Sequence, residues 1–368
     1  MKVVENKIKS KIEKNRRSIL PYFFIFILCF FLSACGGKEA DKKDEIKTTD
    51  SMVQKASFHE VNTKLTVKEE EEGVTLIYQK DQFDEVQDYY CITQLPFPTF
   101  WGGEAYSIIT KEGDLYLIDG GFRGEDSQRI ASYIEEMGGK VKGWILTHPH
   151  VDHIGAFIDY MKDNSHKVET VYYSPFTEVF FEQEPDPEIY EILNNPNAIL
   201  FYEFLATMEA TKDSVSYLPM KAGDHLMLGE LVLECFFSFD PDLHDVNGNS
   251  LVFTLSYEDF CLALTGDMTE ATYEKMKSSL TDSSAFMNPD ILQIPHHGYM
   301  AGIASDILYR ETTPDYVLLD CTLEEFNNNS VNIQNHVQMI EELGIKVIKR
   351  FEASEGNKII IYTGTSEN

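Results

Sequence analysis

The sequence predicts a layered α/β fold on three observations. Short apolar runs alternate with helical patterns along the chain, several of these runs end in Asp-Gly or His-rich turns, and the body after residue 70 is long enough for one large core. Strand-like runs come first, at 74–79, 90–95, 105–110 and 115–118, the last leading into Asp119-Gly120-Gly121. A helical pattern over 127–137 precedes an apolar strand at 142–147, and 154–161 reads as a helix. A further helix is expected over 186–211, interrupted at Asn194-Asn195-Pro196. The second half repeats the habit: strands at 230–238, 250–257 and 260–264, a helix at 269–280, and a strand at 290–294. A strand at 316–319, a helix at 331–343, and strands at 346–350 and 358–362 complete it.

Between the strand at 142–147 and the following helix lies Thr147-His148-Pro149-His150-Val151-Asp152-His153-Ile154-Gly155. Three imidazoles and a carboxylate within six residues are metal-ligand chemistry. His148 and His150 alternate and can address one cation, while Asp152 and His153 turn toward a second. The mixed nitrogen and oxygen set suits zinc as the default, and also manganese or iron.

The HxHxDH motif resembles the signature of the metallo-β-lactamase-fold hydrolases. That resemblance implies a four-layer αββα sandwich and two divalent metal ions. Asp267, in Thr265-Gly266-Asp267 at the end of the strand at 260–264, resembles the aspartate that bridges the two metals, although by itself it also reads as a helix cap. Pro295-His296-His297-Gly298 resembles the last metal motif of a branch that includes the hydrolase domains of competence DNA-uptake proteins and teichoic acid phosphorylcholine esterases. One of His296 and His297 closes the second site in this reading, and which one stays open. The Gly-His-Ser turn usual in the superfamily is missing. His166, His225 and His244 are the other histidines of that stretch, and Asn247-Gly248-Asn249-Ser250-Leu251-Val252 resembles the corresponding segment of the same branch.

The resemblance further implies that Asp119 fixes a ligand histidine from behind, and that Asn249 and His336 lie near the metals or the substrate, His336 at the mouth. Asp152, Asp267 and His297 are the expected catalytic groups. They serve a hydrolysis, most simply of a phosphodiester, by attack of a metal-bound hydroxide. Two other classes stay open: a metal-binding accessory protein without turnover, and a β-lactamase or other ester or amide hydrolase. Phe97, Phe100 and Trp101, with Tyr172, Tyr173, Phe176, Phe180 and Phe181, could cage a quaternary ammonium or simply pack the core.

The first 34 residues read as a signal peptide, a basic stretch followed by a 14-residue apolar run from Ile19 to Leu32, short of the roughly 20 residues that span a bilayer. Leu32-Ser33-Ala34-Cys35 resembles the bacterial lipoprotein box, which implies a lipid on Cys35 and an extracytoplasmic, membrane-anchored protein. Residues 35–70 are polar and read as a flexible tether, leaving 71–368 as the hydrolase domain. Residues 1–34 hold seven of the 31 basic and two of the 61 acidic residues, so the remainder carries a net charge near −35. Such a surface disfavours extended nucleic-acid binding and suits a small or cell-wall substrate. Cys91, Cys235, Cys261 and Cys321 sit in apolar stretches and read as buried thiols.

Overall fold

A computed structural model describes residues 65–79, 88–97, 102–182, 196–328 and 331–363. The expected leader, Cys35, Phe100, Trp101 and the first part of the helix at 186–211 lie outside these residues. Sixteen strands among the described residues form two sheets.

The first sheet contains β1 (Leu65–Glu70), β2 (Gly73–Tyr78), β3 (Tyr89–Gln94), β4 (Ala105–Ile109), β5 (Leu115–Asp119), β6 (Val141–Leu146), β7 (Val168–Tyr173), β8 (Ser216–Pro219) and β16 (Asn357–Tyr362). Its order is β1-β2-β16-β3-β4-β5-β6-β7-β8. The second sheet contains β9 (His225–Leu228), β10 (Leu231–Phe237), β11 (Val252–Tyr257), β12 (Phe260–Leu264), β13 (Ile291–Gln293), β14 (Tyr316–Leu319) and β15 (Lys346–Lys349), in the order β15-β14-β13-β12-β11-β10-β9.

Side-chain alternation along the strands separates three apolar layers. Tyr106, Tyr116, Ile118 and Ile145 face Leu233, Phe253, Leu262 and Leu264 between the sheets. Leu115, Leu117, Trp144 and Leu146 point the other way, onto helices α1 (Glu125–Glu136), α2 (Val151–Asn164), α3 (Glu178–Glu182) and α4 (Pro196–Thr211). On the far face, Ala263, Leu292, Val317 and Leu319 pack on α5 (Glu270–Lys277), α6 (Ile307–Thr312) and α8 (Ile333–Glu342); the short α7 (Leu323–Phe326) follows β14. The result is the expected αββα arrangement.

Each sheet is part antiparallel and part parallel. β5, β6, β7 and β8 run parallel in one, and β12, β13, β14 and β15 in the other. The carboxyl ends of parallel strands are where α/β folds leave a crevice for ligands. Asp119, His148, Asp267, His296 and Asp320 all sit at or just after such ends.

Several elements differ from the sequence reading. Leu65–Glu70, placed in the tether, pairs with β2 as a hairpin, because Leu65 and Val67 supply alternate apolar contacts to the inter-sheet core. β7, β8 and β9 were not expected. β7 ends in Tyr172 and Tyr173, two of the aromatic residues offered for a cage or for packing, while β8 and β9 are four-residue edge strands, one ending in Pro219. The helix after the metal motif starts at Val151 rather than 154. His150, in extended conformation at its N-terminus, accepts from the amides of His153 (3.1 Å) and Ile154 (2.9 Å), which draws Asp152 and His153 into the first turn.

Candidate metal centre

The loop after β6 is fixed from below. The Asp119 carboxylate accepts from the Thr147 amide (2.9 Å) and hydroxyl (2.6 Å), and the Asp119 carbonyl accepts from the Trp144 indole (2.8 Å). Its other bond goes to His153 Nδ1, at 2.7 Å. A carboxylate on one imidazole nitrogen fixes the ring's orientation and leaves Nε2 to face the centre. His148 is held by its Nδ1, 3.1 Å from both the Thr147 and Ser250 hydroxyls. The Asp320 carbonyl accepts from His297 Nδ1 at 2.8 Å.

All of these rings converge on Asp267, which is 1% exposed. His153 Nε2 and His297 Nε2 lie 3.2 and 3.6 Å from its Oδ1, and His148 Nε2 and His296 Nε2 lie 3.6 and 3.8 Å from its Oδ2. The two adjacent histidines therefore reach opposite oxygens of one carboxylate. Asp152, at the rim, is 3.3 Å from His297 Nε2. Donor atoms of Asp152, His153, Asp267 and His297 gather within 4.8 Å of one another, as do those of His148, His150 and Asp267. His148 Nε2, His153 Nε2, His297 Nε2 and Asp267 Oδ1 are buried without a well-aligned hydrogen bond. Buried polar atoms left unsatisfied are costly, and atoms of this kind facing each other fit divalent cations.

The backbone is bent to make this possible. Asp119, His296 and His297 have φ of 49°, 52° and 54°, in the left-handed region that side chains rarely adopt. Two carboxamide and carboxyl groups brace the turn before Asp267. Gln293 Oε1 accepts from the amides of Thr265 (2.7 Å) and Gly266 (2.9 Å), and its Nε2 donates to the buried Glu104.

Charge is balanced within the cluster. Burial disfavours imidazolium at every histidine, and at His148, His150 and His296 it prevails, holding them below the ordinary range and neutral. At His153 and His297 burial is outweighed by the carboxylates. Asp267, Asp119 and Asp152 hold His153 well above its usual value, and Asp267 and Asp152 push His297 up to about 10. Asp152 and Asp267 are driven down by the same imidazoliums despite their burial.

The sequence-predicted residues fall into three groups. His148, His150, Asp152, His153, Asp267, His296 and His297 come together, with Asp119 behind them. Asn249 and His336 do not face the centre; only the position of His336 at the mouth is corrected, and both bond the protein around the cluster. Asn249 spends its side chain on the 240–245 loop, donating to the Leu243 and Asp245 carbonyls and accepting from the Asp240 amide. His336 is wholly buried rather than at the mouth, because it shares the core-facing side of α8 with Ile333, Val337 and Ile340; it bonds the Gly298 carbonyl and the Tyr309 hydroxyl, both at 2.9 Å.

Of the aromatic residues offered for a cage or for core packing, Phe176, Phe180 and Phe181 pack the core, and Phe100 and Trp101 lie outside the described residues. Phe176, Phe180 and Phe181 are buried against one another, Phe201 and Phe239, and the cavity beside them measures only about 20 Å³. His166, His225 and His244 do not join either donor group. Of the four cysteines named above, Cys235, Cys261 and Cys321 are buried and Cys91 is half-buried. Thr147, Ser250, Gln293, Glu104 and Asp320 were given no role in the sequence reading. Asp320 had a usable signal, since like Asp119 and Asp267 it is an aspartate at the end of a buried strand.

Two outcomes follow for metal uptake. Asp119→Ala frees the His153 ring and lowers metal affinity by roughly 10–100-fold, read by competition with a chelator. Because His153 and His297 hold protons that a metal must displace, loading the chelated protein at pH 7 releases on the order of two protons. Affinity accordingly rises with pH. Calorimetry in buffers of different ionisation enthalpy measures the release, and none would refute this charge assignment.

A family model described as the metallo-beta-lactamase superfamily matches residues 99–319, more than half of the chain and every residue of the cluster. The RNase aCSPSF2 of Saccharolobus solfataricus is 24% identical over 176 residues, covering 48% of this chain and 32% of that protein; the chain thus spans about a third of the length of this relative. Among solved structures, the metallo-beta-lactamase fold protein YhfI from Bacillus subtilis is 15% identical, with a TM-score of 0.43 over 74% of this chain and 100% of that one. Igni18, a metallo hydrolase from Ignicoccus hospitalis, is 13% identical with a TM-score of 0.43, over 76% and 100%. On the extent of the family match, this chain belongs to the metallo-beta-lactamase superfamily.

Proposed function

We propose that this protein is a membrane-anchored, metal-dependent phosphodiesterase. The observation that carries the hydrolase reading is the convergence of His148, His153, His296 and His297 on the two oxygens of buried Asp267, with His150 and Asp152 at its flanks. Two cations, zinc by default, would be held by His148, His150 and Asp267 on one side and by Asp152, His153, His297 and Asp267 on the other, with His296 beside Asp267. When bound, they would supply an acidified water and polarise the substrate's oxygens.

The chain's own residues then have separable tasks. Asp119 and the Asp320 carbonyl hold the second group's rings by Nδ1, so no reorientation is needed during turnover. Asp152, the more exposed carboxylate, stands where it can accept a proton from an attacking water. The phosphodiester class is supported by the resemblance of Pro295-His296-His297-Gly298 and of 247–252 to the competence and phosphorylcholine-esterase branch, and by a relative named as an RNase. The strongly acidic surface favours a short diester, such as one in the cell wall, over a long nucleic acid.

A screen with bis-p-nitrophenyl phosphate, p-nitrophenyl phosphorylcholine and a chromogenic cephalosporin, run beside metal analysis, tests the reading. Turnover of a diester is expected, and Asp152→Ala should lower kcat by at least about 10²-fold. Stoichiometric metal with no turnover of any of the three would favour a binding module instead, and cephalosporin turnover alone would favour a lactamase. For the anchor, Cys35→Ser should move the protein from the membrane to the soluble fraction; unchanged partition would remove the lipid from the proposal.

A further inference from the structure

A second concavity lies beside the metal centre. It encloses about 450 Å³ and is lined by Phe97, Arg129, Thr322, Arg350, Phe351 and Ser354, among others. Cys321 and Thr322 on its wall follow Asp320, whose carbonyl holds His297, and the Phe97 ring reaches within 3.1 Å of where a side chain on Gly121 would begin, in the turn after Asp119. The groove thus adjoins the residues that hold the cluster from behind, Asp320 and the turn after Asp119.

Arg350 is the unusual member. It is 2% exposed, its Nη1 donates to the Gly103 carbonyl, and its guanidinium lies 5.4 Å over the Phe97 ring. The neighbouring carboxylate, Asp320, is 3.7 Å away and already accepts from Gln94 and Tyr106. Arg350 Nη2 is buried and has no hydrogen-bond partner among the described residues. A guanidinium is always charged and presents its donors as a fork that matches phosphate, so an unfilled buried donor of this kind is a standing cost that an oxyanion would remove. Arg129 brings a second cation to the same groove from α1. Glu324 also lines the groove, so its lining carries two arginines against one carboxylate, a local excess of positive charge in a chain with a formal charge of −30.

We propose that this groove is a phosphate subsite, which receives a second phosphate group of a substrate whose scissile bond lies at the metal cluster. Its role in turnover rests on the phosphodiesterase reading, whereas the binding rests on the groove alone. Inorganic pyrophosphate titrated calorimetrically into the full chain, freed of metal by chelation, should bind saturably. Arg129→Gln, at a half-exposed position, and Arg350→Lys, which keeps the charge but not the fork, should each weaken that binding roughly tenfold.

The metal-loaded protein should prefer the dithymidine dinucleotide bearing a 5′-phosphate over the same dinucleotide without it, and Arg129→Gln should abolish that preference. No saturable pyrophosphate binding, or equal affinity in both variants, overturns the subsite. Arginine-dependent binding without any preference between the dinucleotides overturns its role toward substrate. Arginine-dependent binding with neither dinucleotide cleaved upholds the subsite and overturns a dinucleotide as the substrate that reaches it, while absence of turnover of bis-p-nitrophenyl phosphate as well overturns the phosphodiesterase reading.

Discussion

Burial of the Asp267 carboxylate is the constraint around which the functional half of this molecule is arranged. A bare carboxylate at 1% exposure is expensive, and it persists only where positive charge and donors surround it. Four imidazoles meet that requirement, drawn from the loops after β6 and β13. Each held ring passes the demand outward to another acceptor or hydroxyl: Asp119 for His153, the Asp320 carbonyl for His297, and Thr147 and Ser250 for His148. Strand ends in both sheets are thereby committed to one point in space.

The same commitment explains where the backbone departs from comfort. Of the six non-glycine residues with positive φ among those described, three are Asp119, His296 and His297. Such conformations persist only when surroundings over-determine them, and here the surroundings do: Gly298 is pinned by His336 from α8, and the 265–267 turn by Gln293 and Glu104 from two different sheets. His336 therefore contributes from the core side of the turn rather than from the mouth.

Legibility in the sequence followed periodicity and chemical density. Central strands such as β5, β6 and β12 announce themselves because they are buried on both faces and read as continuous apolar runs. Edge strands β8 and β9 have exposed, mixed sequences of four residues and give no such signal. The motif residues 148–153 are unmistakable because ligand types crowd there. Ser250 and Gln293 are polar residues whose work depends on partners far away in the chain, which a local pattern cannot display, whereas Asp320 shares with Asp119 and Asp267 its place at the end of a buried strand. Arg129 and Arg350 are hidden for the same reason: they lie more than two hundred residues apart, and only folding brings them to one groove.

The position of β16 bears on how the chain must assemble. Residues 357–362 do not extend an edge; they are inserted between β2, with which they run parallel, and β3, with which they run antiparallel. Until that segment is available, the nine-stranded sheet is two separate pieces with unpaired edges. Asn357 ties the junction through the Val74 amide and Gln94 side chain. Closure therefore waits on contacts spanning almost the whole domain, a topology that folds slowly and late. For a chain proposed to cross a membrane before it works, a domain whose larger sheet closes only on residues 357–362 stays threadable until that segment has been made.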